Sequence, residues 1–260
     1  MTNFSETQSQ AEDLPILSGL DTSVAYRDLV HSLMKQYPSD EAMKRAVGGE
    51  FESFGILERE LLIQYGLQRN GYLIDVGCGS GRLAKALVGY LEGKYLGIDV
   101  IPELTHYARD LCKRSDWRFE VTDGLTIPEQ DNVADVVCFF SVFTHLRQEY
   151  SYLYLQEARR VLKVGGKAVF SFVEFSLPSH WKLFESNVSN LNASQPFVYF
   201  IGRDAIAAWS SRLGYKIEAI HDGDKPHIPL PHPIVTEQGT RMETMANFRQ
   251  SVCVLTVPDK

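Results

Sequence analysis

Residues 73–87 read LIDVGCGSGRLAKAL. An apolar run stops at Asp75, glycines follow at 77, 79 and 81, and an apolar pattern with helical spacing opens at Leu83. This stretch constrains the chain most. It requires a buried strand, a turn whose backbone a ligand can approach closely, and a helix, in that order. The alternation then repeats. After YLIDV and RLAKALVGYL come KYLGIDV and PELTHYARDLCKRS, the short strand WRFEV, and the strand ADVVCFF. A helix around EYSYLYLQEARRVLK, expected to stop at Gly165–Gly166, leads into the strand KAVFSFVEF. ADVVCFF has almost no polar residue, as a strand buried on both faces requires. The pattern predicts an α/β fold with a Rossmann-like, doubly wound, mostly parallel sheet and right-handed crossovers.

Residues 22–65 read as helices in pieces, the second opening with the good N-cap residues Ser39 and Asp40. After Phe175 the alternation breaks. Residues 176–202 carry Pro178, Trp181, Phe184, Pro196 and Phe197 without clean periodicity. RDAIAAWSSRLG is a helix, YKIEAI a strand, residues 222–248 a second irregular stretch rich in His and Pro, and QSVCVLTV a closing strand. The connection between the last two strands has no helix pattern, which suits an antiparallel end to the sheet. The expected organisation is a flexible tail over 1–20 and a single domain over 21–260. Within it, 21–66 form a helical cover and 176–202 an inserted lid.

Two ligands dominate glycine turns of this kind. A dinucleotide site has its third glycine five positions after the first. Here that position is Arg82, the third glycine comes one residue early, and an acid stands two residues before the first. Asp-x-Gly-x-Gly-x-Gly instead closely resembles the first motif of class I S-adenosylmethionine-dependent methyltransferases. The resemblance extends over CFFSVFTHL and LQEARRVLKVGGKAVFS, and covers roughly residues 50–173 and the closing strands. It implies seven strands with the last one antiparallel, S-adenosylmethionine as cofactor and S-adenosylhomocysteine as product. Within the family, F..GILERELL..YGL and SVFTHL are most similar to bacterial enzymes that methylate small molecules or sugars in glycan and natural-product pathways.

The cofactor set follows from motif and resemblance together. Gly77, Cys78, Gly79 and Gly81 form the turn against the methionine portion, and Asp75 offers a negative group to a cationic ligand. Asp99, 22 residues after Gly77, with its neighbour Val100, stands near the ~20-residue spacing of an acid that takes the ribose hydroxyls. The resemblance gives Asp123–Gly124 to the adenine amino group, and Phe140 and Ser141 to the adenine and methyl-donor side.

Several chemistries are disfavoured. The chain lacks the Asn/Asp-Pro-Pro-aromatic run of exocyclic-amine DNA methyltransferases, and Cys138 lies too early for a cytosine nucleophile. No acid cluster for Mg²⁺ stands at the strand ends, and His227 and His232 lack further ligands, so no metal is expected. Net charge is −7, with both signs mixed along the chain, which argues against a nucleic-acid partner. No apolar run approaches the ~18 residues of a membrane span, and the polar N-terminus is not a signal peptide. Four scattered cysteines read as reduced, mostly buried thiols of a cytoplasmic protein.

The expected reaction is methyl transfer to a small-molecule acceptor, a hydroxyl of a sugar, glycan or natural product. The alternatives are N-methylation, a catalytically silent cofactor-binding protein, and an NAD(P) oxidoreductase. A hydroxyl must lose a proton, and histidine suits that. His145, five residues past Phe140, is the best placed; the competing role is packing at a helix start. His180 in the lid is the second candidate, and Glu174 at the end of the fifth strand could orient the base or act for it.

Overall fold

A computed structural model describes residues 21–122, 124–190 and 198–259. The expected tail, Asp123 and residues 191–197 of the expected lid lie outside them. Three helices come first: α1 (Asp21–Gln36), α2 (Ser39–Ala46) and α3 (Phe51–Gln64). The alternating region follows, with β1 (Tyr72–Val76), α4 (Arg82–Leu87), β2 (Lys94–Asp99), α5 (Pro102–Cys112), β3 (Arg118–Val121), β4 (Ala134–Phe139), α6 (Gln148–Val161) and β5 (Leu162–Phe172). Then come α7 (Pro178–Ser189), α8 (Arg203–Leu213), β6 (Lys216–His221) and β7 (Ser251–Thr256).

The seven strands form one sheet in the order β3-β2-β1-β4-β5-β7-β6. The first five run parallel, and β7 pairs antiparallel with both β5 and β6, as the helix-free connection requires. Each face of the sheet carries its own apolar core. Ile74, Ile98, Phe139, Phe143 and Phe170 belong to one; Leu61, Leu73, Leu87, Cys138 and Val169 belong to the other, beneath α3 and α4. All five residues of β1 are buried, which is why its sequence reads as an apolar run broken only by Asp75.

Strand order reverses at β1. It pairs with β2 on one side and β4 on the other, so the following turns leave in opposite directions and open a crevice. The N-terminal helices close over one end of it. Val30, Met43 and Ala46 pack on Ile101 and Leu104, at the start of α5 just beyond Asp99.

Three local expectations are corrected. The sixth helix stops at Val161, not at the glycine pair. Leu162 already pairs with Ala134, and the register then jumps so that Val136 faces Lys167. Residues 163–166 bulge outward in between, with Gly165 in the left-handed region at φ 78°. Residues 176–202 are not irregular throughout, because Pro178 begins the twelve-residue α7. Residues 222–248 fold back on themselves: Ile228–Pro229 pairs with Met245–Ala246, and Ile234–Val235 with Arg241–Met242. At the tip of this fold, Glu237 Oε1 accepts the backbone N–H groups of Glu52 (2.6 Å) and Ser53 (3.3 Å), capping the start of α3.

Candidate functional site

The crevice at the carboxyl ends of β1, β2 and β4 holds a cavity of about 530 Å³, within the usual range of about 300–1,000 Å³ for small-molecule sites. Of the residues expected in the site, Asp75, Gly77, Cys78, Gly79, Asp99, Val100, Phe140, Ser141 and His145 line it. Gly81, Gly124, Glu174 and His180 do not, and Asp123 lies outside the described residues; its neighbour Thr122 is on the wall.

The turn after β1 is tight because its first two amides, Gly77 N and Cys78 N, both donate to Ile98 O at the end of β2 (2.8 and 3.0 Å). Gly77 sits at φ 73°, and a Cβ there would lie 2.4 Å from Val142 Cγ2. The turn and the loop after β4 therefore meet where only glycine fits. Gly81 has a different job. At φ 85° it precedes α4, and a Cβ would come within 2.8 Å of Ala108 Cβ, so it lets α4 pack on α5 instead of facing the ligand.

Asp99 is 7% exposed. Its Oδ2 accepts Gly79 N–H at 2.8 Å and its Oδ1 accepts Ile101 N–H at 3.0 Å. Burial raises its pKa; the backbone amides oppose that, and no cation does. A vicinal diol donating two hydrogen bonds suits the lone pairs left over. Asp75 is buried too. Tyr95 donates its hydroxyl to Oδ2 at 2.7 Å and Cys138 Sγ lies 3.5 Å from Oδ1, yet burial dominates and pushes its pKa up to about 7. Two buried carboxylates without direct cationic partners, beside a glycine turn, fit a ligand with a ribose and a positive charge.

The third acid on the wall, Glu58 on α3, does have a cation: Arg82 holds it, and Arg82 Nη1 also donates to Val47 O at 3.0 Å. This pair fastens the N-terminal cover to the glycine turn. Neither residue was singled out from sequence. A signal exists in Glu58, which falls among Leu57, Leu61 and Leu62 on the buried side of α3, where an unpaired carboxylate could not stay.

His145 ends a short 3-10 turn, Phe143–His145, that follows β4. Its ring stacks on Tyr26 of α1, with centroids 6.1 Å apart and planes 18° apart. The residue reaches solvent at the cavity, and desolvation by the surrounding protein lowers its pKa, which favours the neutral ring at neutral pH. Tyr26 belongs to the expected helical cover over 21–66. Its hydroxyl donates to Ala46 O at 2.9 Å, joining α1 to α2 over the cavity.

Glu174 and His180 are committed elsewhere. Glu174 makes a two-point ion pair with Arg203 (2.8 Å to each oxygen) and accepts from Ser176 and Ser251, while hydrogen bonding holds its pKa below the usual value against burial. His180 is 1% exposed; its Nδ1 accepts Glu174 N–H at 3.0 Å and its Nε2 lies 3.1 Å from Arg249 O. Together they anchor α7 and α8 to the sheet. Among the described residues no group of three or more His, Cys, Asp or Glu is arranged to hold a metal, and no helix is long and apolar enough to cross a membrane.

Residues 74–170 match a family model described as a methyltransferase domain. A probable methyltransferase, ltbC, from Aspergillus luteorubrus is 30% identical over 122 residues, which are 42% of this chain and 42% of that relative. The match thus spans less than half the relative's length. Among solved structures, the putative methyltransferase of Haloferax volcanii, in complex with the Trm112 methyltransferase activator, superposes with TM-score 0.60 at 20% identity, covering 85% of this chain and 96% of that one. A S-adenosylmethionine-dependent methyltransferase of Methanosarcina mazei gives 0.55 at 15% identity, covering 76% and 98%. A TehB-like enzyme of Corynebacterium glutamicum gives 0.53 at 18%, covering 91% and 100%. These share the fold.

Proposed function

We propose that this chain, whose residues 74–170 match a methyltransferase domain, is a class I S-adenosylmethionine-dependent enzyme that transfers a methyl group to a hydroxyl of a small molecule without a metal. One observation carries the reading: the glycine turn, Asp99 and His145 line a single cavity, so cofactor residues and a neutral base face the same space. S-adenosylmethionine supplies an electrophilic methyl carbon on a sulfonium when bound. Asp99 accepts hydroxyl hydrogen bonds, and Asp75 faces the positive charge. His145 takes the acceptor's proton on an imidazole nitrogen, and its lowered pKa keeps that nitrogen free at neutral pH. The cavity walls align the acceptor and exclude water. In this reading residues 21–260 work as one domain, with α1 and α7 roofing the acceptor end. The four cysteines are free and buried, which supports a cytoplasmic, reducing setting.

The test is His145→Asn, which keeps size and hydrogen bonding but holds no proton. Turnover on an accepted substrate should fall about 10²-fold or more, with S-adenosylmethionine affinity near wild type. Full turnover from pH 6 to 9 would leave alignment as the mechanism and His145 as scaffold.

A further inference from the structure

Among the described residues, the end of the cavity away from the glycine turn is mainly apolar. His145 follows Thr144, whose carbonyl accepts Tyr199 N–H at 2.9 Å; Val198 precedes Tyr199 and its own carbonyl accepts from Asn187 Nδ2 at 2.7 Å on α7. Val198 and Leu183 of α7 therefore continue the wall that His145 and Tyr26 begin. Leu29 of α1 belongs to the same wall. Leu29 and Leu183 are 41% and 39% exposed, so two helices far apart in sequence each turn a leucine to water at one cavity. Scattered exposed leucines need no explanation; these two share one concave site and offer apolar surface to whatever enters it.

The acids of the wall, Glu58, Asp75 and Asp99, lie at the other end and surround the glycine turn. Among the described residues its cations are Arg82, which Glu58 holds, and Arg45, which donates twice to Glu41 (2.9 and 2.7 Å) and stacks on Tyr37 at 4.2 Å. Each already pairs with a carboxylate, Arg82 in a buried contact and Arg45 in an exposed one. The polar groups near His145 are also engaged. Thr144 Oγ1 donates to Ser141 O at 3.0 Å, Gln250 Nε2 to Ser141 Oγ at 3.1 Å, and the Tyr26 hydroxyl to Ala46 O at 2.9 Å. A sugar would bring several hydroxyls to a wall with few open partners among the described residues.

We infer that the acceptor is a neutral, largely apolar small molecule with one hydroxyl directed at His145, a phenol-like ring in preference to a sugar or an anion. The inference rests on the methyl-transfer reading and narrows its substrate class. The apolar body lies between Leu29 and Leu183, and the hydroxyl is the only group that needs a polar partner.

Calorimetric titration of the full chain tests this. The protein is first titrated with S-adenosylhomocysteine, and the saturated complex then receives 2-naphthol, 6-hydroxy-2-naphthoate or methyl glucoside. The expected result is 2-naphthol binding at least tenfold more tightly than either of the others. Leu183→Asp, at a partly exposed position, should weaken 2-naphthol at least tenfold and leave S-adenosylhomocysteine affinity unchanged. Equal or tighter binding of the glucoside or the naphthoate overturns the inference. So does S-adenosylhomocysteine binding without 2-naphthol binding, or an unaltered 2-naphthol affinity in Leu183→Asp. Failure of S-adenosylhomocysteine itself to bind defeats the methyl-transfer reading, and this inference with it.

Discussion

At the scale of single residues, the two buried carboxylates behave differently from surface acids. Asp75, ordinarily ionised above about pH 4, holds its proton to about 7 in the fold because burial disfavours the charge. The unfolded chain releases that proton first, so between these values the folded state holds more protons. Its stabilising contribution is full below about pH 4 and is lost as pH rises to about 7. A cationic ligand reverses the preference, since it needs the carboxylate. Equilibrium titrations with S-adenosylmethionine, without acceptor, should thus show affinity rising from pH 6 to 8, and Asp75→Asn should flatten the rise. A wild-type affinity constant over that range would remove Asp75 from the ligand's charge. Asp99→Asn keeps an acceptor for one backbone amide but loses a charge-assisted hydrogen bond of about 1.5–3 kcal/mol. S-adenosylmethionine affinity should drop at least tenfold, and an unaltered dissociation constant would reject the ribose assignment. These residues were legible because backbone geometry ties residue type to place: a turn fed by two amides on Ile98 O demands glycine, and an acid at the next strand end follows the crossover length. Glu58 with Arg82, and Gln250 with Ser141, were not legible as pairs. Each joins positions far apart in sequence, and no local pattern reports such a meeting.

At the scale of elements, the strands read well because burial on both faces leaves a continuous apolar signature. Element ends read poorly. α6 gives way to β5 at Leu162 because tertiary pairing with Ala134 begins before the glycines, which local signals cannot announce. α7 was hidden because its only buried side chain is His180, so it lacks an apolar stripe. The hairpin-like 222–248 segment was hidden as well, its pairings being two residues long. That segment supplies a capping partner to a helix almost two hundred residues earlier. Glu237→Ala should therefore cost about 0.5–2 kcal/mol, the usual worth of an N-cap, and lower Tm by about 1–8 °C at about 2–4 °C per kcal/mol. S-adenosylhomocysteine affinity should hold. An unchanged melting curve would show that Glu52 and Ser53 find other partners.

At the scale of the whole molecule, the cavity exists only when the sheet, the N-terminal helices and the last strand are assembled, so a ligand there binds the folded chain alone. S-adenosylhomocysteine at a hundred times its dissociation constant should stabilise by about 2.7 kcal/mol and raise Tm by about 5–10 °C. NADH at the same concentration should leave Tm unmoved; the reverse pattern would restore the oxidoreductase alternative. The wall also runs from Tyr26 to Gln250, which enters just before β7. At about 5–20 residues added per second, a ribosome makes the first of these roughly 10–45 s before the last. Throughout that interval the half-built crevice lacks a side, and from the completion of β5 onward that strand lacks its antiparallel neighbour. The nascent chain must protect those exposed strands without help from its cofactor, which becomes a stabiliser only once Gln250 and the strand after it are in place.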